Sequence, residues 1–473
     1  MAMGKRKGGQ QERLWVPTQS LAQAPGHPFY EALNKVLADS GFDDYVEGLC
    51  KPFYADTMGR PSLAPGVYFR MLLIGYFERI DSERGIAWRC ADSLALRSFL
   101  GYAIDESPLD HSTLSRTRRL LDLATHAAVF TWVLARLADA GLVDGKTVGI
   151  DATTLEANAA LRSIVRRDTG EGYQEFLTAL AKASGIETPT LADLKKIDRK
   201  RAKKGSNKHW VNPHEPDAQI TKMKNGSTHL AHKDEHAVDL KTGAVLAVTL
   251  HGGAAGDTAS IPDTLAKAEE NIETAQEESE QGAKRMHAEA VQEVVTDKGY
   301  HSNAVLIAMG EQGYRSYVSE PERGRRKWAG KTSAQRAVYG NRRRIRGRRG
   351  KRLMRLRGEL LERPFAHYLD SGGMRRTHLR GHENISKRLL VHVAGFNLGL
   401  LMRARVGRGT PRGLHAAMAA VISALLLLWK AVWGHGSSIA RQESPISSPQ
   451  HQLGGFSAAP RYAAQLGTSA TAC

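Results

Sequence analysis

Thr147-Val148-Gly149-Ile150-Asp151 and Glu293-Val294-Val295-Thr296-Asp297 are two short runs, rich in β-branched residues, that each end in an aspartate. Read as strands, they place one carboxylate apiece at a strand end. A third acidic position follows in Glu359-Leu360-Leu361-Glu362, on a predicted helix directly after an arginine-dense stretch. Three carboxylates from separated elements can hold two hard divalent cations about 4 Å apart, one activating an attacking oxygen and the other stabilising a leaving oxygen. The basic stretch supplies the attraction for a polyanion that the acids alone would repel.

The elements around these runs predict an α/β fold. From residue 146 the periodicity is that of strands, and residues 229–250 alternate as a hairpin: His236-Ala237-Val238-Asp239, a turn Leu240-Lys241-Thr242-Gly243, then Ala244-Val245-Leu246-Ala247-Val248-Thr249. A long polar helix from Ile261 to Arg285, a strand Val294–Asp297, a helix Asn303–Gly310 and a strand Tyr314–Val318 follow. This order describes a mixed sheet with helices on its faces, and it matches the ribonuclease H-like fold. In that arrangement the first strand lies beside the later central one, so Asp151 and Asp297 can meet although they are 146 residues apart. A charged helical insertion occupies about 157–206 of a catalytic domain spanning 141–405.

Upstream, residues 1–25 read as a disordered basic tail and 26–140 as an all-helical domain for DNA binding or oligomerisation. Ser62-Leu63-Ala64-Pro65 announces a helix with its apolar face over Val67–Phe77; Ser82 and Asp92 read as caps of two more. The helix opened by Leu109-Asp110-His111 carries Arg116, Arg118 and Arg119, which suit phosphate contacts or equally the surface of a packing domain. Downstream, Ala416–Trp433 has an apolar run shorter than the roughly 20 residues of a spanning helix and is broken by Ser423 and Lys430. It is read, within 406–434, as a buried or partner-facing helix rather than a membrane span. Residues 435–473, rich in Ser, Gln, Gly and Pro, read as disordered.

Lys and Arg number 67 against 49 Asp and Glu, a formal charge of +18. Such an excess favours nucleic acid through counterion release and steering. Cys50, Cys90 and Cys473 are too far apart for a disulfide framework or a zinc finger. Met1–Gln11 is basic and is not followed by an apolar segment, so no export signal is expected. The expected location is cytoplasmic, at the nucleoid.

At this point the residues carry a resemblance. The chain is similar to prokaryotic insertion-sequence transposases of the Asp-Asp-Glu class, through Gly59-Arg60-Pro61-Ser62, Asp151-Ala152-Thr153-Thr154 with Ala157-Asn158-Ala159, Asp297-Lys298-Gly299-Tyr300 and Glu362-Arg363-Pro364-Phe365-Ala366-His367. Gly372-Gly373-Met374-Arg375-Arg376, Leu379-Arg380-Gly381 and Phe396-Asn397-Leu398 extend it over roughly residues 55 to 405. The resemblance implies cleavage of double-stranded DNA at the ends of a mobile element, releasing a 3′ hydroxyl that then attacks target DNA. It further implies a homo-oligomer on paired ends and Mg²⁺ as cofactor, with Mn²⁺ substituting. Asp151 would bridge both cations, while Asp297 and a glutamate would each hold one.

Glu359 and Glu362 share a helix face, so either could be that glutamate. The Glu-Arg-Pro-Phe context favours Glu362. Arg355 stands four residues before Glu359, whereas Gly358 stands four before Glu362. The lysine that related families place seven residues after the glutamate is missing, since Ala366 and Leu369 hold those offsets.

Arg336–Arg357 contains eleven basic residues and no acidic one. It is expected to be mobile or phosphate-bound, with Arg342, Arg343, Arg344, Arg346, Arg348, Arg349, Lys351, Arg352 and Arg355 on DNA, joined by Lys298 beside Asp297. Trp328 and Tyr339 could stack on an unpaired base or pack in place. His229, His232 and His236 enter a strand, where side chains alternate, so a zinc site is not expected. Gly252–Asp257 lacks the Lys-Ser or Lys-Thr ending of a phosphate loop and reads as a turn; no nucleotide cofactor is expected. Two other functions remain open, a nuclease of the same fold that cuts without joining and a DNA-binding protein without catalysis.

Overall fold

A computed structural model describes residues 26–55, 62–103, 105–106, 110–201, 205–223, 226–322, 324 and 326–412. All of them lie within one compact unit, Met1–Ala416. The tails 1–25 and 435–473, the apolar run Ala416–Trp433 and Gly59-Arg60-Pro61 fall outside the described residues.

Helices come first: α1 Pro28–Asp39, α2 Phe42–Cys50, α3 Pro65–Glu78, α4 Glu83–Asp92, α5 Leu94–Leu100, α6 His111–Leu120 and α7 Leu123–Asp139. Their starts have local causes. Pro65 occupies the first turn of α3, where its missing N–H goes unused. Ser82, Ser93, Asp110 and Asp122 each accept a backbone N–H of the helix they precede. Two expectations are thereby corrected. The cap of α3 is Ala64 rather than Ser62, and α5 is capped by Ser93, because Asp92 still belongs to the last turn of α4. The α6 and α7 axes bend by 95° at Leu121–Asp122, and Asp122 holds both Thr125 N–H and Oγ1 at 2.7 Å.

The sheet contains β1 Thr147–Glu156, β4 Gln219–Lys222, β5 Thr228–Asp239, β6 Val245–Gly252, β7 Glu293–Thr296 and β8 Arg315–Val318. Its order is β4-β5-β1-β7-β8, with β6 also paired to β5. The pairs β1–β5, β4–β5 and β5–β6 are antiparallel, whereas β1–β7 and β7–β8 are parallel. The fold is therefore the expected mixed α/β sheet, flanked by helices and preceded by helices.

β1 does not stop at Asp151, as its apolar run suggested. It pairs with β7 only through Thr147, Val148 and Gly149, but with β5 as far as Glu156. The reason is that β5 starts at Thr228, eight residues before His236, and so offers partners to Ala152–Glu156 as well. Asp151 consequently stands two residues past the last β7 pairing, on a strand still anchored on its other side.

The insertion holds a two-stranded sheet, β2 Val165–Arg166 with β3 Trp210–Val211, and helices α8 Tyr173–Ala183 and α9 Leu191–Lys200. Trp210 gathers Tyr173 and Phe176 edge-on into a small separate core. The predicted long polar helix is split into α10 Asp257–Glu278 and α11 Glu280–Arg285 at Ser279, whose side chain caps the second. Then follow α12 Asn303–Glu311, α13 Thr332–Arg346, α14 Arg348–Leu360, α15 Glu362–Phe365 and α16 His382–Val406, with a π-helical turn Ala366–Ser371 after α15.

The basic stretch is therefore an ordered helical pair, which corrects the expectation of a mobile segment. Acids from outside the run offset its self-repulsion: Glu320 takes a bidentate pair from Arg342 at 2.6 and 2.8 Å, and Glu293 takes one from Arg349. Arg344 binds the Ser316 carbonyl and hydroxyl at the far side of β8. One continuous apolar core joins the leading helices to the sheet, with α7 packed on α10 and α16. By length and composition α16 could cross a membrane, but 72% of its most apolar window is buried inside the protein.

Candidate active site

Asp151 and Asp297 are brought together by the parallel pairing of β1 and β7. The Asp151 Oδ1 accepts the Ala152 N–H at 2.9 Å, and its Oδ2 accepts Arg357 Nη2 at 2.8 Å. Asp297 follows β7 directly and caps a short 3₁₀ turn, Lys298–Tyr300, by accepting the Gly299 N–H at 2.8 Å. Its other oxygen lies 3.9 Å from the same Arg357 Nη2. One guanidinium on α14 thus touches both aspartates.

Glu362 arrives from the other side. It opens α15 and, with Asp151, lines a cavity of about 640 Å³ whose wall also includes Thr153, Glu156, Asp370 and Arg375. Glu359 does not line this cavity; it is 58% exposed and stands 3.8 Å from Arg355. Gly149 explains how α15 comes so near: a Cβ there would clash with Leu361 and Leu240. Phe365 fixes the next turn by stacking flat on His236 of β5, with ring centroids 3.7 Å apart. Among the described residues, no three His, Cys, Asp or Glu side chains converge closely enough to enclose a metal ion. The arrangement is two adjacent aspartates sharing an arginine, of which Asp151 lines the cavity together with Glu362 and Asp297 does not.

Tyr368 carries the clamp deeper. Its hydroxyl donates to Asp234 Oδ2 at 2.9 Å and lies 3.1 Å from His236 Nδ1. Burial pushes the Asp234 carboxyl up to about 7, against the pull of the Tyr368 hydrogen bond, and holds His236 down at about 3, so this imidazole is neutral. On the opposite face of β5, Lys233 reaches Asp257 Oδ1 and Ser260 Oγ at 2.7 Å each and stands 3.3 Å from Glu235. Tyr300, in the turn capped by Asp297, donates to Glu235 at 2.9 Å. Asp257 also lies against Gly299, where a Cβ would collide with it. The Gly252–Asp257 turn therefore delivers a carboxylate to the floor beside Asp297.

The sequence missed these buried polar residues of β5, because Lys233-Asp234-Glu235 looks like a solvated strand. Both faces of β5 are buried because α10 covers one and the Phe365–Tyr368 segment the other, which the local sequence does not show. It also missed Arg357, one of the eleven basic residues of its stretch. The other candidates separate by exposure. Arg116, Arg119, Lys298, Arg343, Arg346, Arg348, Lys351, Arg352 and Arg355 are exposed. Arg118 is buried and bound to Glu83 and Asn384 at 2.6 Å each; Arg342, Arg344 and Arg349 hold the internal partners given above. Trp328 and Tyr339 meet edge-on at 6.1 Å. His229, His232 and His236 go separate ways, to Glu156, Glu215 and Phe365.

Asp151 and Asp297 thus meet at one guanidinium, and Asp151 also faces a carboxylate-rich cavity that it shares with Glu156, Glu362, Asp370 and Arg375. Residues 18–120, which include the leading helices up to α6, match a family described as a transposase domain, DUF772. This match supports a transposase-family protein acting on DNA. No curated protein and no solved structure matches the chain.

Proposed function

We propose that this chain is a DNA transposase of the Asp-Asp-Glu, ribonuclease H-like class, cutting insertion-sequence ends and joining them to target DNA as a homo-oligomer. The observation that carries this reading is the meeting of Asp151 and Asp297 at one guanidinium, with Glu362 lining the same cavity as Asp151. A hairpin, β5–β6, set antiparallel to β1 and followed by parallel β7 and β8 is the order expected of that class.

The donors fit Mg²⁺ or Mn²⁺ in kind. All three are carboxylates, and the demand for positive charge between the aspartates is visible in the arginine drawn to them. Asp151, Asp297 and Glu362 would hold the cations, which when bound supply Lewis acidity to the attacking and leaving oxygens. The protein's part is positioning. β1 holds Asp151 rigidly through its β5 pairing, the 3₁₀ turn fixes Asp297, and Phe365 on His236 fixes the turn of Glu362. Exposed Arg348, Lys351, Arg352 and Arg355 lie three, four and seven residues apart on one side of α14, where they would carry a phosphate backbone toward the cavity.

The test is incubation of the purified chain with supercoiled DNA bearing its own element's ends, with and without Mg²⁺. End cleavage and joining by the wild type, both lost in Asp297→Ala and Glu362→Ala, are expected. Breaks without joining would make it a nuclease, and binding without cleavage a DNA-binding protein.

A further inference from the structure

We propose that Arg357 is a placeholder for the divalent cation: it holds Asp151 and Asp297 together in the metal-free protein and competes with the metal for them. The inference rests on the metal-site reading above and adds a residue to it. Two carboxylates on adjacent strands repel each other, and a positive group between them relieves that repulsion. Arg357 Nη2 is such a group, 2.8 Å from Asp151 and 3.9 Å from Asp297.

Three features suit it to leaving. Its Nε is buried without a hydrogen-bond partner, so the guanidinium is anchored through the aspartates rather than by a surrounding network. It sits in the last turn of α14, five residues before Glu362, which opens the next helix, α15. It also keeps a fifth of its side-chain surface open to solvent, which gives it somewhere to go. Arg349, by contrast, is locked bidentately on Glu293 at the opposite end of β7 from Asp297 and plays no part at the aspartates. A metal arriving between the aspartates must displace Arg357, because like charges cannot share that space.

The experiment measures Mn²⁺ affinity of the full chain without DNA, by the electron paramagnetic resonance signal of free Mn²⁺. It compares wild type, Arg357→Ala, Arg357→Lys and Asp151→Asn. Removing a competing charge at this distance should tighten Mn²⁺ binding about tenfold in Arg357→Ala, with Arg357→Lys between it and wild type. The rise in Tm on adding Mn²⁺ should likewise be larger for Arg357→Ala than for wild type. Equal or weaker binding by Arg357→Ala, while Asp151→Asn abolishes binding, would overturn the placeholder and leave the metal site standing. If wild type and Arg357→Ala bind Mn²⁺ no better than Asp151→Asn, the metal site itself falls, and the placeholder with it.

Discussion

At the scale of single residues, what decides the site is which charged side chains are buried and by what they are answered. Asp234 is fully buried with the Tyr368 hydroxyl as its hydrogen-bond partner, and burial outweighs that bond and the pull of Arg375 to hold its carboxyl up near 7. A carboxyl raised in the folded state binds a proton that the unfolded chain has already lost. Its contribution to stability is therefore complete below the ordinary carboxylate range and disappears as pH rises through about 7. Asp234→Asn keeps the acceptor for Tyr368 and removes the titration. Thermal melts from pH 5 to 8 should show wild type losing stability relative to this variant; parallel curves would mean that Asp234 does not titrate there. Asp151 and Asp297 were legible in the sequence because each ends an apolar run, a local signal. Arg357 and the polar side of β5 were not, since their meaning depends on strands and helices distant in the chain.

At the scale of elements, the leading helices were readable from caps and periodicity, with errors of a few residues where two candidate caps stood together. The basic stretch was misjudged because its neutralising acids, Glu293 and Glu320, lie on and just after strands that precede it. The same distinction sorts α6. Arg118 points inward, joining α6 to Glu83 of α4 and Asn384 of α16, whereas Arg116 and Arg119 face solvent. Arg118→Ala leaves the nearly buried Glu83 without its cation and should cost about 3 to 5 kcal/mol in denaturant unfolding. Arg116→Ala and Arg119→Ala should each change stability by less than about 0.5 kcal/mol yet weaken DNA binding. Equal destabilisation by all three would contradict this division of α6.

At the scale of the whole molecule, the adjacency of the first strand and the later central one, and with it the meeting of the two aspartates, was expected because the order of elements matches the ribonuclease H-like arrangement. The extra strand β4 and the length of β5 did not, because pairing partners, rather than local composition, set where those strands begin. The +18 charge belongs to a binding surface only where it is exposed. Arg348, Arg352 and Arg355 on α14 meet that condition. Each alanine substitution there should lower the slope of log K against log salt by about 1 if the residue contacts a phosphate, measured by DNA binding across a salt series. An unchanged slope would place the DNA elsewhere. The strand that bears Asp151 ends by hydrogen-bonding, through Glu156, to Arg375 and Thr377. A ribosome making this chain must therefore release more than 220 further residues after Glu156 before that last pairing can close. Prematurely terminated products that stop short of Arg375 would lack the seam that joins the Asp151 strand to the segment behind Glu362, so the proposed site matures only late in synthesis.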